Sequence, residues 1–550
     1  MSGCDVRSVR WAAVALAAAG SFAGPARAAG GKPSRASPVG SCKRISSEPA
    51  QRVVARVRRS KPVVLSCVRI RERLDLTPLA TIPQPFKCRG CRLEGGLAAS
   101  DVVFARTLDL SAWGIEGTVG LEGASFQGPV LFASAPKPAK FDGDVDASLA
   151  VFSDLASFEQ AVFAGRAGFD LARFRGETSF AAAKFEATPG PAASFRGAVF
   201  DSSVVFDQAQ FIGSADFTRS SFGSAGFRAV FLATRASFAK ATFRGDADFS
   251  QGIFLGRASF PRAQFLQHAA FVGTQFSGDP NHQAASFDNV TAAGDVDFSF
   301  ADFRAPPEAA QAGEERPLIA SFFRLVVAGT LSFSDAEFPP RYALSMNKLS
   351  ARNLVLDVDK TSLVDDDPGD SAKPLRQHVL ELIESSSKVR DELVTANDAD
   401  YELHVLRSRT YSWPLRMLDL VFYRWIAGYF VRPLRPLLTL LVLALLLSAV
   451  RSVVGRPLAA TDGGAAAEPN PRPPRPRGRW RRLGSGFVTH VNDFLDTLTL
   501  IGPQRWSAAG GGQRLELRLE SVVYRVLVAC ALIGLANSNP TLRQLVDALV

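Results

Sequence analysis

Residues 156–185 read ASFEQAVFAGRAGFDLARFRGETSFAAAKF, and within them Phe158, Phe163, Phe169, Phe174, Phe180 and Phe185 follow one another at steps of five and six residues in alternation. The alternation returns at Phe238, Phe243, Phe249, Phe254, Phe260 and Phe265 and continues through Phe271 and Phe276. An eleven-residue unit that recurs in this way marks a solenoid, because each unit needs its neighbours to bury its apolar side. Residues two before each Phe are small, as at Ala161, Ala172, Ala183, Ala241 and Ala247. In a strand, side chains two apart point the same way, so each unit contributes one large and one small plug to a core. The charged positions between them, among them Arg173, Lys184, Asp216 and Arg219, are expected to face water.

Two units give four short sides, so a coil of 22 residues is expected to close a roughly square tube. From about Val103 to Phe338 there is room for roughly ten coils at about 4.8 Å each. Five of the eight six-residue steps between Phe152 and Phe271 place Gly two after the Phe, at Gly165, Gly176, Gly213, Gly245 and Gly256. A corner or bulge at positive φ is the expected reason. The segments 186–191, 278–283 and 304–317 break the beat with Pro and Gly and are expected to loop out.

Units such as AQFIGSADF (209–217) and ATFRGDADF (241–249) give the chain a resemblance to the pentapeptide-repeat proteins, in their Phe-centred branch. The resemblance implies a right-handed quadrilateral β-helix with the Phe and the small residue facing inward. The expected fold class is thus an all-β solenoid followed by an α-helical membrane region.

The expected organisation starts with a signal peptide over 1–28. Arg7 and Arg10 precede an apolar run from Trp11 to Ala19 that is too short to span a bilayer, and Ala26-Arg27-Ala28 has the small-x-small form of a cleavage site. A basic lead-in follows over 29–73 and a cysteine-containing cap over 74–113, before the repeat itself at 114–340. Cys42, Cys67, Cys88 and Cys91 are disulfide candidates, since exported domains favour disulfides; Cys88-x-x-Cys91 has no second such pair to complete a zinc or redox site. Three pairings of four cysteines stay open.

After the repeat, Leu375, Val379, Leu382, Ile383, Val389 and Leu393 recur at helical steps, which points to a helical cap or linker over 341–411. Leu418, Val421, Phe422, Trp425, Ile426 and Tyr429 suggest an amphipathic interfacial helix over 412–435. Pro436 to Val450 is uncharged, and 436–454 and 520–537 are expected to be transmembrane helices. The loop between them, 455–519, carries Arg472, Arg475, Arg477, Arg479, Arg481 and Arg482 and belongs in the cytoplasm by the positive-inside rule, with a tail at 538–550.

A net charge of +10 and a pI near 9.5 suit nucleic acid or an anionic membrane surface, and the export signal argues against nucleic acid. The five histidines are scattered, and His-Glu-x-x-His, Gly-x4-Gly-Lys and Gly-x-Ser-x-Gly are missing. The sequence therefore offers no catalytic residue, cofactor site or metal site, and the chain is not expected to be an enzyme. The expectation is a membrane-anchored exported scaffold or protein-binding surface in the inner membrane, with its repeat on the periplasmic side. Its partners would be the bilayer and an unidentified protein, with oligomerisation left open. The alternative is a two-span channel-like subunit: some two-span relatives resemble ion channels, and Gly428-Tyr429-Phe430-Val431-Arg432-Pro433 resembles the Gly-Tyr-Gly-x-Arg-Pro signature before their first span. The nearest approach to a filter, Thr497 to Gly502, lacks Gly-Tyr-Gly.

Overall fold

The computed structural model describes residues 45–420 apart from 112–113, 133–138, 279–282, 305–317, 340–341, 358–362, 365–374, 390–392 and 410, together with a few isolated positions further on. The repeat forms a parallel coil with four faces. Strands such as Val162–Phe163 build face I, Ala167–Gly168 face II, Arg173–Phe174 face III and Thr178–Ser179 face IV. Successive rungs pair in register, Phe141 with Phe163, Phe163 with Phe185, and Ala236 with Ala258. Among the described residues face I has 12 strands and face II has 13, while faces III and IV form one sheet of 23. Those two faces are joined by Val326–Ser332, which pairs through Val326 with Thr291 and through Leu331 with Val296 and so turns the corner without a break.

The core is four columns of plugs. Phe158, Phe180 and Phe206 stack with centroids 4.6 and 4.9 Å apart, and Phe163, Phe185 and Phe211 at 4.9 and 4.6 Å. Neighbouring columns meet edge to face, as Phe169 does with Phe180 at 5.4 Å, the arrangement that the ring quadrupole favours. The small residues before the Phe, Ala161, Ala172 and Ala183 among them, are fully buried. Three of these slots hold hydroxyls instead, and all are satisfied: Thr178 Oγ1 donates to Gly176 O at 3.3 Å, Ser220 Oγ to Phe195 O at 2.6 Å and Thr274 Oγ1 to Phe249 O at 2.9 Å.

The glycines of the six-residue steps have a different cause from the expected positive φ. Gly165, Gly176, Gly213, Gly245 and Gly256 are absent from the left-handed region, which is occupied at the five-residue steps by Gln160, Leu171, Ala182, Gln208 and others at φ between 52° and 62°. A Cβ on Gly165 would lie 2.5 Å from Gly143 C, and one on Gly176 would lie 2.4 Å from Asp154 C. Close approach of one rung's backbone to the next selects Gly at these corners.

The coil also outruns the 114–340 bounds at both ends. Its continuous winding starts at Val63–Ser66, with Ser46–Ser47 added to face I beside Val68–Ile70, and it ends at Leu363–Val364, because Leu65, Ile70, Leu74, Ile82, Leu93 and Leu97 fill the plug positions early and Leu344, Met346 and Leu354 fill them late. Residues 74–113 are therefore coil rather than cap. The cap is the helix Ala50–Arg58, inside the segment expected to be a basic lead-in, with Ala50, Val53 and Val57 turned onto the first rungs and Arg52, Arg56 and Arg58 outward. Pro49 gives that helix no side-chain cap, and Glu72 Oε2 accepts from Ala50 N at 3.0 Å instead.

At the other end the helices Leu375–Val389 and Leu393–Ser408 form a hairpin against Ser350–Val355. Val379, Leu380 and Ile383 are buried, Ser386 Oγ donates to Leu354 O at 2.9 Å and His378 Nε2 lies 2.8 Å from Leu349 O. Carbonyls at Leu349 and Leu354, at either end of that strand, thus find partners on the hairpin. Of the expected excursions, 186–191 is described and contains a cis Thr188–Pro189 bond; 279–282 and 305–317 lie outside the described residues, yet pairing resumes in register from Ala258 to Ala285 to Ala320. The helix Trp413–Leu418 opens the 412–435 segment. The expected spans 436–454 and 520–537, the loop 455–519 and the signal peptide lie outside the described residues but for isolated positions, and no helix among the described residues is long and apolar enough to cross a membrane.

Candidate interaction surface

Every polar group that the coil offers to a ligand stands on its outside. The twelve core Phe residues, Phe158, Phe163, Phe169, Phe174, Phe180, Phe185, Phe238, Phe243, Phe249, Phe254, Phe260 and Phe265, are all buried. Cys88 and Cys91 are disulfide-bonded to each other and buried, Cys67 is also disulfide-bonded, and Cys42 lies outside the described residues. Among the described residues no group of three or more His, Cys, Asp or Glu is arranged to hold a metal ion. An open cleft of about 390 Å³ at the end of the helical hairpin is lined by Val405, Ser408, Arg409, Arg416, Asp419 and Leu420.

The outer surface is ordered by the coil itself, since equivalent residues of successive rungs stack into columns. Carboxylates tie rungs together: Asp144 accepts from Arg166 N at 2.8 Å, Asp207 from Arg228 N at 2.9 Å and Asp295 from Thr330 N at 2.7 Å. Burial pushes the Asp207 carboxyl above the usual range against the pull of that backbone bond, whereas the Thr77 hydroxyl holds Asp75 below it. Ion pairs such as Arg92–Glu116 at 3.2 Å and Arg228–Asp248 at 3.2 Å are exposed, so each contributes less than about 1 kcal/mol.

One corner differs from the rest. Between faces II and III the turn residue at positive φ is Asp101, Gly123, Leu149, Leu171 and Gly197 on the earlier rungs, and from there Arg219, Lys240, Arg262, Asn289, Arg324 and Lys348 on successive rungs, with every cation exposed. At the diagonal corner, between faces IV and I, the same turn carries Gln160, Ala182, Gln208, Ala229, Gln251 and Phe300. Turn geometry is equal at both corners, so it cannot account for the cations. The basic column is invisible in a linear reading because its members lie 21 to 35 residues apart; 22-residue lines bring only Arg219, Lys240 and Arg262 nearly into one column, and the excursions before Asn289 and Arg324 shift the rest out of it.

The family model for pentapeptide repeats (9 copies) matches residues 139–184. Comparison with curated proteins and with solved structures gives no match. The chain thus carries pentapeptide repeats within a Phe-rich β-solenoid of about 13 turns.

Proposed function

We propose that this protein is a non-catalytic scaffold, exported and held at the cytoplasmic membrane, whose coil presents ordered polar columns to a protein partner. The observation that carries the reading is the division of the coil into an apolar interior and a polar exterior. Its buried columns are Phe and Ala with hydrogen-bonded Thr178, Ser220 and Thr274, and its charged side chains lie on the outer faces and corners. Export rests on Arg7 to Ala28, and anchoring on 436–454 and 520–537. Trp413, Leu415 and Met417 stand exposed just ahead of the first of those spans, as side chains at a bilayer interface would.

Protease treatment of intact cells and of spheroplasts tests the topology, with cross-linking of the full-length protein in the membrane to capture its partner. Cleavage within 100–340 in spheroplasts but not in sealed inverted vesicles, with one cross-linked protein recovered, is the expected result. A conductance that disappears on mutation within Thr497 to Gly502 would replace the scaffold by the channel reading.

A further inference from the structure

We propose that face II and its basic corner bind a linear anionic polysaccharide, one that carries a carboxylate on each sugar and runs along the coil axis. This goes beyond the scaffold reading and holds or fails without regard to a protein partner.

The column of cations is regular. The Phe rings beneath Arg219, Lys240, Arg262, Asn289 and Arg324 are spaced 4.8, 4.7, 4.8 and 5.4 Å. Four cations and the neutral Asn289 are attached above them at that rhythm. On the other edge of face II stand Arg235 and Arg257, so that on two rungs the sequence Arg-Ala-Ser-Phe-x-Lys/Arg puts a cation on each side of a serine, Ser237 or Ser259. The floor continues as Ser286, Ser321 and Ser345.

Among the described residues no carboxylate lies within ion-pair distance of Arg219, Lys240, Arg262, Arg324, Arg235 or Arg257, whereas Arg92 and Arg173, on faces I and III, are paired. Two acids border the column from Arg219 upward. Asp216 accepts from Thr218 N at 2.9 Å and lies 3.7 Å from Arg196, and Asp288 is occupied by the hydroxyls of Ser286 and Ser321. Arg257 Nε is buried without a hydrogen-bond partner. Arg219, Lys240, Arg262, Arg324 and Lys348 also hold left-handed backbone at φ 62°, 58°, 59°, 53° and 58°, where Gly would be unstrained.

The form of the array selects the ligand. A 1→4-linked uronate chain advances by close to one rung per sugar, so the carboxylates that its twist turns to one side recur at whole multiples of the rung spacing and meet cations of the column. Duplex DNA places its charges about 3.4 Å apart along each strand, out of step with the rungs. Single-stranded nucleic acid is held by aromatic stacking platforms, but the outward residues of face II from Asp216 to Ser345 are Asp and Ser. Phe323, at the corner, is covered by Arg324, whose Cζ lies 5.0 Å from the ring centroid.

The test titrates labelled oligogalacturonates of defined length against the full-length protein in detergent. Affinity is expected to rise with length up to about the number of rungs in the column and then to level off. R219Q/K240Q/R262Q should weaken binding about tenfold or more and flatten the length dependence. R69Q/R92Q/R228Q, an equal change in charge at paired sites, should alter it less than about twofold. If the triple variant melts early, K240Q alone, at an exposed turn, should cost about two- to threefold. Equal loss in both triple variants, or unchanged binding in the column variant, overturns the proposal. So does tighter binding of oligo-dT or phosphatidylglycerol vesicles through the same three residues, which would make the partner nucleic acid or membrane.

Discussion

Gly165 and Gly168 stand three residues apart and are required to different degrees. A Cβ on Gly165 would meet the backbone of Gly143 and Asp144 at 2.5–2.6 Å, whereas one on Gly168 finds nothing nearer than 3.6 Å at ordinary φ. Gly165→Ala should therefore destabilise the coil by about 1–3 kcal/mol, because two backbones cannot yield as side chains do. Gly168→Ala should stabilise it by about 0.4–1 kcal/mol by restricting the unfolded chain, and paired denaturant melts will separate the two. The spacing singles out Gly165, two after Phe163, but its reason, the approach of the preceding rung's backbone, shows only once the rungs are stacked. Asp207 is a second residue-scale case. Its carboxyl is pushed up by burial, so the fold holds the proton more tightly than the unfolded chain does. Its contribution to stability is greatest when protonated and is lost as pH rises through the raised pKa. Asp207→Asn keeps an oxygen for Arg228 N and removes the buried charge. Its melting temperature should exceed that of the wild type at neutral pH, and the gap should close as the pH falls towards about 4.

At the scale of elements, the two coil ends present the same problem, because an uncovered rung exposes both apolar plugs and unpaired strand edges. The N-terminal helix covers one with Ala50, Val53 and Val57; the helical hairpin covers the other with Val379, Leu380 and Ile383. Ile383→Asp places a carboxylate against the last rung and should undock the hairpin. Light scattering should then show a mass that grows with concentration, in contrast to the wild type. The hairpin was legible because Leu375, Val379 and Ile383 keep a helical period. The N-terminal helix was not, since nine residues containing Arg52, Arg56 and Arg58 look like a solvated basic stretch until the apolar stripe has a rung to face. The outermost rungs escaped notice for a related reason. A slot that accepts Leu, Ile or Met as readily as Phe leaves no aromatic beat to count.

In the whole molecule, the four-sided coil was readable from its Phe alternation because the core admits so few side chains. The interaction surface was harder to find, because a column exists only once the coils are stacked, and stacking joins residues that the chain separates by a full turn. The same stacking makes the distance between the two capping elements come in whole steps. A 22-residue block inserted between Arg235 and Arg257, where Ala236 pairs with Ala258, would have the plugs and corners of its neighbours. It would move the C-terminal hairpin outward by one rung, about 4.8 Å, while the contacts above and below it were kept. The coil is in that sense a ruler graduated in rungs, and the reach of whatever it holds can change by duplication or loss of one block without a new core being designed.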